Sequence, residues 1–272
     1  MAITLSSIRK TTQVAAPRLL IYGVAGVGKT SLAASSPSPI FIFTEDGAGA
    51  LNVESFTFGG GETPRPYATA YQEIIEALTA LYLEDHSFKT VVIDSIDGLE
   101  PLVWAHTAAM HGKTNIEDWD YGKGYAFAAP YWQTLLDGLN ALRDKRGMSV
   151  ILLGHAQSKP FNDPLNDTYD RYSVKLHKGA SALIQEAMDG VFFYNYRVFT
   201  KKEDLGFNKT STRGLATGER VLGTRECPGY VAKNRYSLPP EISVGSYPAN
   251  PWDSVQNAII AGVMAHRPEL AF

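Results

Sequence analysis

Four short, nearly unbroken apolar runs punctuate the first part of the chain: Leu19–Tyr22, Ile40–Thr44, Thr90–Ile93 and Val150–Leu153. Runs of this length without polar alternation predict strands buried on both faces, as in parallel sheets. The stretches between them carry helical spacing instead. From Tyr67 to Asp85, apolar residues recur at Tyr71, Ile74, Ile75, Leu78, Leu81 and Tyr82, which places them on one face of a helix. Helical stretches are also predicted over residues 98–110 and 128–144, joined by the polar, aromatic and glycine-rich segment Gly112–Tyr125. A short helix over Thr30–Ser35 stops at Pro37-Ser38-Pro39, because proline brings no N–H and clashes with the preceding turn. The stretch Phe58–Pro66 reads as surface loop. Residues 190–199 predict a fifth strand, turns fall at Pro228-Gly229 and Pro239-Pro240, and a short helix is expected over 252–265.

Apolar strands alternating with helices predict an α/β fold with a mostly parallel central sheet and helices on both faces. No internal repeat or low-complexity linker interrupts it. The economical division is a short N-terminal extension (1–16), a core with loop insertions (17–240) and a tail with a short helix (241–272).

Composition narrows the class. With 44% apolar residues, the 272-residue chain can bury a sizeable core, which excludes wholesale disorder. No run reaches the length of a membrane span, and the N-terminus lacks a basic start followed by an apolar core. Cys227 is the single cysteine; it excludes an internal disulfide and a multi-cysteine zinc site, and reads as a semi-buried small side chain. Together these point to a soluble cytoplasmic protein without membrane contact. The net charge of −3 gives no overall nucleic-acid signature. It is uneven, however: Lys201, Lys202, Lys209, Arg213, Arg220, Arg225, Lys233 and Arg235 face only Glu203, Asp204, Glu219 and Glu226 within 201–236. Such an excess suits an anion-facing surface.

The chemistry is concentrated in Gly23-Val24-Ala25-Gly26-Val27-Gly28-Lys29-Thr30, followed by Ser31. This run matches G-x-x-x-x-G-K-[ST] and sits between a predicted strand and a predicted helix. Small residues let backbone N–H groups surround a β-phosphate, Lys29 reaches the β/γ-phosphates, and the Thr30 hydroxyl suits Mg²⁺. The segment predicts nucleoside triphosphate binding. Asp94 ends the third strand, where an acid sits beside the metal; Asp97, three residues on, reads as a cap or a solvent-facing acid. Glu45 and Asp46 follow the second strand, and ligands in open α/β sheets lie at the carboxyl ends of strands. Glu45 is therefore the candidate base for an attacking water, with Asp46 as its alternative. The fourth strand ends in Gly154-His155-Ala156-Gln157. His155, or Gln157 with the same side-chain parity, is placed to contact a γ-phosphate.

In this order the motifs resemble the RecA-like recombinase core, and look closest to phage-encoded RecA-like ATPases associated with single-strand annealing and recombination. The resemblance spans roughly residues 17–240. It implies a RecA-like P-loop fold, ATP and Mg²⁺ as cofactors, the catalytic glutamate at Glu45, the Mg²⁺-side acid at Asp94, and the γ-phosphate sensor at His155 or Gln157. Glutamine is the commoner sensor in recombinases. The segment Val231-Ala232-Lys233-Asn234-Arg235 is similar to the short basic strand through which bacterial recombinases reach a neighbour's ATP. That implies trans-acting roles for Lys233 and Arg235, which strand alternation puts on one face, and a homo-oligomer, ring or filament. Only about 16 residues precede the core, so the family's N-terminal route to filaments is not expected; an extended Ile3–Ile8 strand is the alternative contact.

The family binds single-stranded DNA through loops that correspond here to Gly112–Tyr125 and Ser158–Gly179. The first carries Lys113, Trp119, Tyr121, Lys123 and Tyr125; the second carries Lys159, Tyr169, Arg171, Tyr172, Lys175 and Lys178, diluted by Asp163, Asp167 and Asp170. Basic residues interleaved with aromatics suit phosphate attraction plus base stacking, and contacts between subunits are the alternative for both. The implied function is an ATPase acting on single-stranded DNA in phage recombination or annealing, with a phage single-strand-binding protein as a further partner. A helicase or helicase loader on the same core, and a nucleotide-gated assembly module with negligible hydrolysis, are the competing readings.

Overall fold

A computed structural model describes residues 4, 5, 8, 15–47, 49, 51–59, 63–164, 167–204, 210–245 and 249–267, with backbone alone at 198–204 and 210–217. Most of the predicted Ile3–Ile8 strand, and Lys209, lie outside the described residues. Five strands run parallel: β1 (Arg18–Gly23), β2 (Pro39–Phe43), β3 (Thr90–Asp94), β4 (Ser149–Phe161) and β6 (Gly190–Asp204), in the spatial order β2-β3-β4-β1-β6. Two antiparallel strands, β7 (Thr210–Gly223) and β9 (Glu241–Val244), extend the edge beyond β6. The short β8 (Lys233–Asn234) pairs with the start of β6, and β5 (Tyr169–Val174) pairs with the far half of β4. The fold is thus α/β with a mixed, mostly parallel sheet.

The apolar runs form these strands because each side is covered. Leu20, Tyr22, Ile42, Ile93 and Leu152 pack on one face against α2 (Tyr71–Leu83), α3 (Ile96–Met110), α5 (Ala129–Arg146) and α6 (Lys178–Ala187). Their neighbours Leu19, Ile21, Phe41, Phe43 and Leu153 pack on the other against α1 (Lys29–Ala34) and α7 (Pro251–His266). With side chains alternating across the sheet, both sets must be apolar. The short α4 (Lys123–Phe127) lies before α5.

Several elements differ from expectation, each for a local reason. α2 begins at Tyr71 rather than Tyr67, because the Glu73 carboxylate turns back to accept from the Thr69 and Ala70 N–H groups at 2.8 and 3.2 Å. Residues before it are drawn alongside β2, where the Ala68 N–H donates to the Phe43 carbonyl at 2.8 Å. The segment expected to be loop over Ser158–Gly179 contains the outer half of β4, β5 and the first turn of α6. α6 buries only Ala180 and Ile184, too narrow a stripe to register as helical periodicity. β7 is charged and glycine-containing, and is held by its partner β6 rather than by an apolar pattern.

Candidate functional site

Placing β4 between β1 and β3 sets the ends of β1 and β3 beside the middle of β4. Gly23 lies opposite His155, and Asp94 lies opposite both Leu153 and Phe43. The phosphate-type loop leaves β1 at Gly23 and turns into α1 through Gly28, whose φ of 97° is left-handed territory that favours glycine. Val27 anchors the loop in the core, while Ala25 and Gly26 are exposed and Val24 is half-buried. The Lys29 ammonium lies buried and donates to the Gly23 and Val24 carbonyls at 3.2 and 3.1 Å. Burial lowers its pKa, opposed by the carboxylates of Asp94, Asp97 and Glu45.

Thr30 Oγ1 donates to Asp94 Oδ2 at 2.7 Å, so the two residues expected at a metal are in contact. Burial pushes the Asp94 carboxyl up; the Thr30 hydrogen bond opposes this, while the Glu45 charge adds to it. Glu45 is exposed, and Ser95 Oγ donates to its Oε1 at 2.8 Å. Thr44 Oγ1 donates to the Ser95 carbonyl at 2.7 Å and accepts from the Ser95 N–H at 3.0 Å. The ends of β2 and β3 are thereby pinned together, which fixes the distance between Glu45 and Asp94. Asp46 is exposed.

His155 has an unexpected partner. Asp97 is a buried carboxylate turned toward it, accepting from the His155 N–H at 2.9 Å and meeting Nδ1 at 2.8 Å. The reading of Asp97 as a cap or solvent-facing acid is corrected by this contact: the cap of α3 is Ser95, whose Oγ accepts from the Gly98 N–H at 3.1 Å. Burial acts to raise the Asp97 carboxyl, but the His155 hydrogen bonds outweigh it and the net shift is downward. Gln157 instead donates to the Val174 carbonyl of β5 at 2.8 Å. A cavity of about 290 Å³ is lined by Gly26, Gly28, Lys29, Thr30, Ser31, Glu45, Asp94 and His155. Gln157 is not among its walls. The roles of Ser95 and Thr44 went unread in the sequence; their signal was a polar residue directly after each buried strand.

Lys233 and Arg235 lie elsewhere. Val191 pairs with Lys233 at the start of β6, whereas the loop begins level with Tyr194. Lys233 Nζ donates to the last carbonyls of α6, Gln185 and Glu186, at 2.7 and 2.8 Å. Arg235 pairs with Asp189 at 3.3 Å and also reaches the Glu186 carbonyl. Both side chains thus project to one side, as alternation requires.

Among the residues expected at nucleic acid, Lys113, Tyr121, Lys123, Lys159, Lys175 and Lys178 are exposed. Tyr121 is 97% exposed, and Lys113 stands 6.0 Å over the Trp119 ring. Arg171 is buried, ion-paired with Glu226 and set 4.9 Å over the Phe161 ring. Tyr121, Tyr125, Trp132, His177 and Lys178 border a groove of about 630 Å³. Among the described residues no cluster of three metal-ligating side chains occurs, and no helix is long and apolar enough to cross a membrane.

A family model described as an AAA domain matches residues 15–236. No curated protein matches the chain. Among solved structures it is similar to a RadB recombinase, at a TM-score of 0.44 and 14% identity over 85% of this chain and 88% of that one.

Proposed function

This chain belongs to the AAA-domain family, and we propose that it is a Mg²⁺-dependent ATPase that acts on single-stranded DNA in recombination or annealing. Membership makes it a nucleotide-binding and nucleotide-hydrolysing protein. The observation carrying the ATPase part of this reading is convergence: Lys29 at the start of α1, Glu45 just past β2, Asp94 at the end of β3 and His155 within β4 line one cavity. The Thr30 hydroxyl and the Asp94 carboxylate are hard oxygen donors in contact, a set that fits Mg²⁺. When bound, the metal neutralises charge on the β/γ-phosphate oxygens.

The protein's own groups divide the remaining work. Loop N–H groups and Lys29 hold the phosphates; Lys29 exchanges its two carbonyl partners for phosphate oxygens. Glu45, kept in place by Ser95, orients and deprotonates the attacking water. His155, held by Asp97 on one ring nitrogen, presents the other toward the γ-phosphate. The basic and aromatic side chains at 113–125 and the exposed lysines of 159–178 supply phosphate attraction and stacking faces for a single strand.

Lys233 and Arg235 act on a neighbour in this reading. Val191, opposite Lys233, lies three residues of strand before Tyr194, which is level with the chain's own loop, a separation on the order of 10 Å. Both side chains are turned to the end of α6 and to Asp189, so any phosphate they serve belongs to another subunit. The test of the whole reading is ATP turnover with and without single-stranded DNA, alongside a mass measurement. Stimulated turnover by an assembled species is expected. Robust turnover indifferent to DNA would sink the nucleic-acid role, and Lys29→Ala binding ATP as tightly as wild type would sink the ATP site.

A further inference from the structure

Asp94, Glu45 and His155 all reach the phosphate loop from β3, β2 and β4, on one side of β1. The cleaved end of a bound phosphate chain therefore points that way. Its nucleoside end leaves over β6 and β7, on the other side of β1. Two contacts tie those strands to the loop. Tyr196 Oη of β6 donates to the Gly26 carbonyl at 3.4 Å. Arg220 of β7, directly opposite Tyr196, leans over Gly28: a methyl group built there would meet its guanidinium at 3.5–3.9 Å.

Arg220 is half-buried, and its described partner is the Tyr194 hydroxyl. Among the described residues no carboxylate lies within ion-pair distance of it. The nearby acids Glu219 and Glu241 pair with Arg197 instead. A partly desolvated guanidinium without a carboxylate, placed beside a ring of N–H donors, is an anion-seeking group.

We infer that Arg220 binds the α-phosphate of the nucleotide, in the same chain and from the nucleoside side of the loop. The inference rests on the reading of the loop as a nucleoside triphosphate site. It also gives one of the basic residues of 201–236 a specific anion.

The experiment measures affinity for ATP, ADP and the two diastereomers of ATP carrying sulfur on the α-phosphate, in wild type, Arg220→Ala and Arg220→Lys. Loss of ATP binding in Lys29→Ala establishes the loop reading independently. With the loop intact, Arg220→Ala should bind ATP and ADP about tenfold more weakly or worse than wild type. Arg220→Lys should fall between, having charge without the fork. Wild type should distinguish the two diastereomers, and Arg220→Ala should lose that preference while the nucleotide-free protein remains folded, as circular dichroism checks. Unchanged affinity in Arg220→Ala overturns the assignment. So does a diastereomer preference that is absent from wild type or survives the substitution, since Arg220 would then only brace the loop.

Discussion

Glu45, just past β2, and Glu100, on α3, show how far two carboxylates can diverge within one fold. Glu45 is exposed, with one carboxylate oxygen held by the hydroxyl of the buried Ser95, so it can be oriented and still reach a water. Glu45→Gln should keep nucleotide affinity while lowering turnover by about 10²-fold or more, the usual contribution of a positioned base; single-turnover hydrolysis checks it, and an unchanged rate would falsify the role. Glu100, by contrast, is buried and accepts from the His177 N–H at 2.9 and 3.1 Å. Burial pushes its carboxyl up to about 7 from an ordinary 4.5, with the His177 hydrogen bond opposing. Between those values the folded chain holds a proton that the unfolded chain has released. Stability therefore falls as pH rises from 4.5 to about 7 and is level above. The loss is at most about 3 kcal/mol. Glu100→Gln should flatten that slope and raise the melting temperature at pH 8 relative to wild type; thermal melts across pH 5 to 8 read it directly, and an unaltered slope assigns the effect to other groups.

At the scale of elements, the junction of β2, β3 and α3 holds the site together through one close approach. A methyl group on Gly98 would meet Thr44 Oγ1 at 2.5 Å, and that hydroxyl is committed to Ser95 on both sides. Gly98→Ala should destabilise the fold by roughly 1–3 kcal/mol and lower turnover further, because Ser95 also holds Glu45. Denaturant unfolding and turnover on the same sample separate the two effects. The junction also marks where sequence stopped being legible. The buried strands could be read because both faces are apolar, and the loop at Gly23–Thr30 because its glycines and Lys29 follow a fixed spacing. Ser95 and Thr44 could not be read as a pair: their contact joins positions 51 apart, and single polar residues after strands are common. The β4–β5 and β6–β7 hairpins escaped for a related reason. Their outer parts leave the core, so cross-strand pairing replaces the apolar pattern that sequence reveals.

At the scale of the molecule, the sheet separates two basic systems. The phosphate loop opens at the carboxyl ends of the parallel strands, while Lys233 and Arg235 lie near the start of β6. A head-to-tail assembly would bring one edge against the other, as heterologous interfaces do. Arg235 is suited to the test because removing it costs the fold little. Its side chain is 52% exposed, and Asp189 keeps Arg18 at 2.9 Å and Arg143 at 3.5 Å; an exposed pair contributes about 1 kcal/mol or less. Lys233 is less suitable, since it also satisfies the end of α6. If Arg235 serves the neighbour's phosphate, Arg235→Ala and Lys29→Ala should each be inactive alone. Mixed in equal amounts, half the subunits retain an intact loop, and half of those face a neighbour with an intact arginine. Turnover should return to about a quarter of wild type. No recovery in mixtures shown by mass to contain both variants would confine Arg235 to bracing Asp189, and leave the ATP site to be completed within one chain.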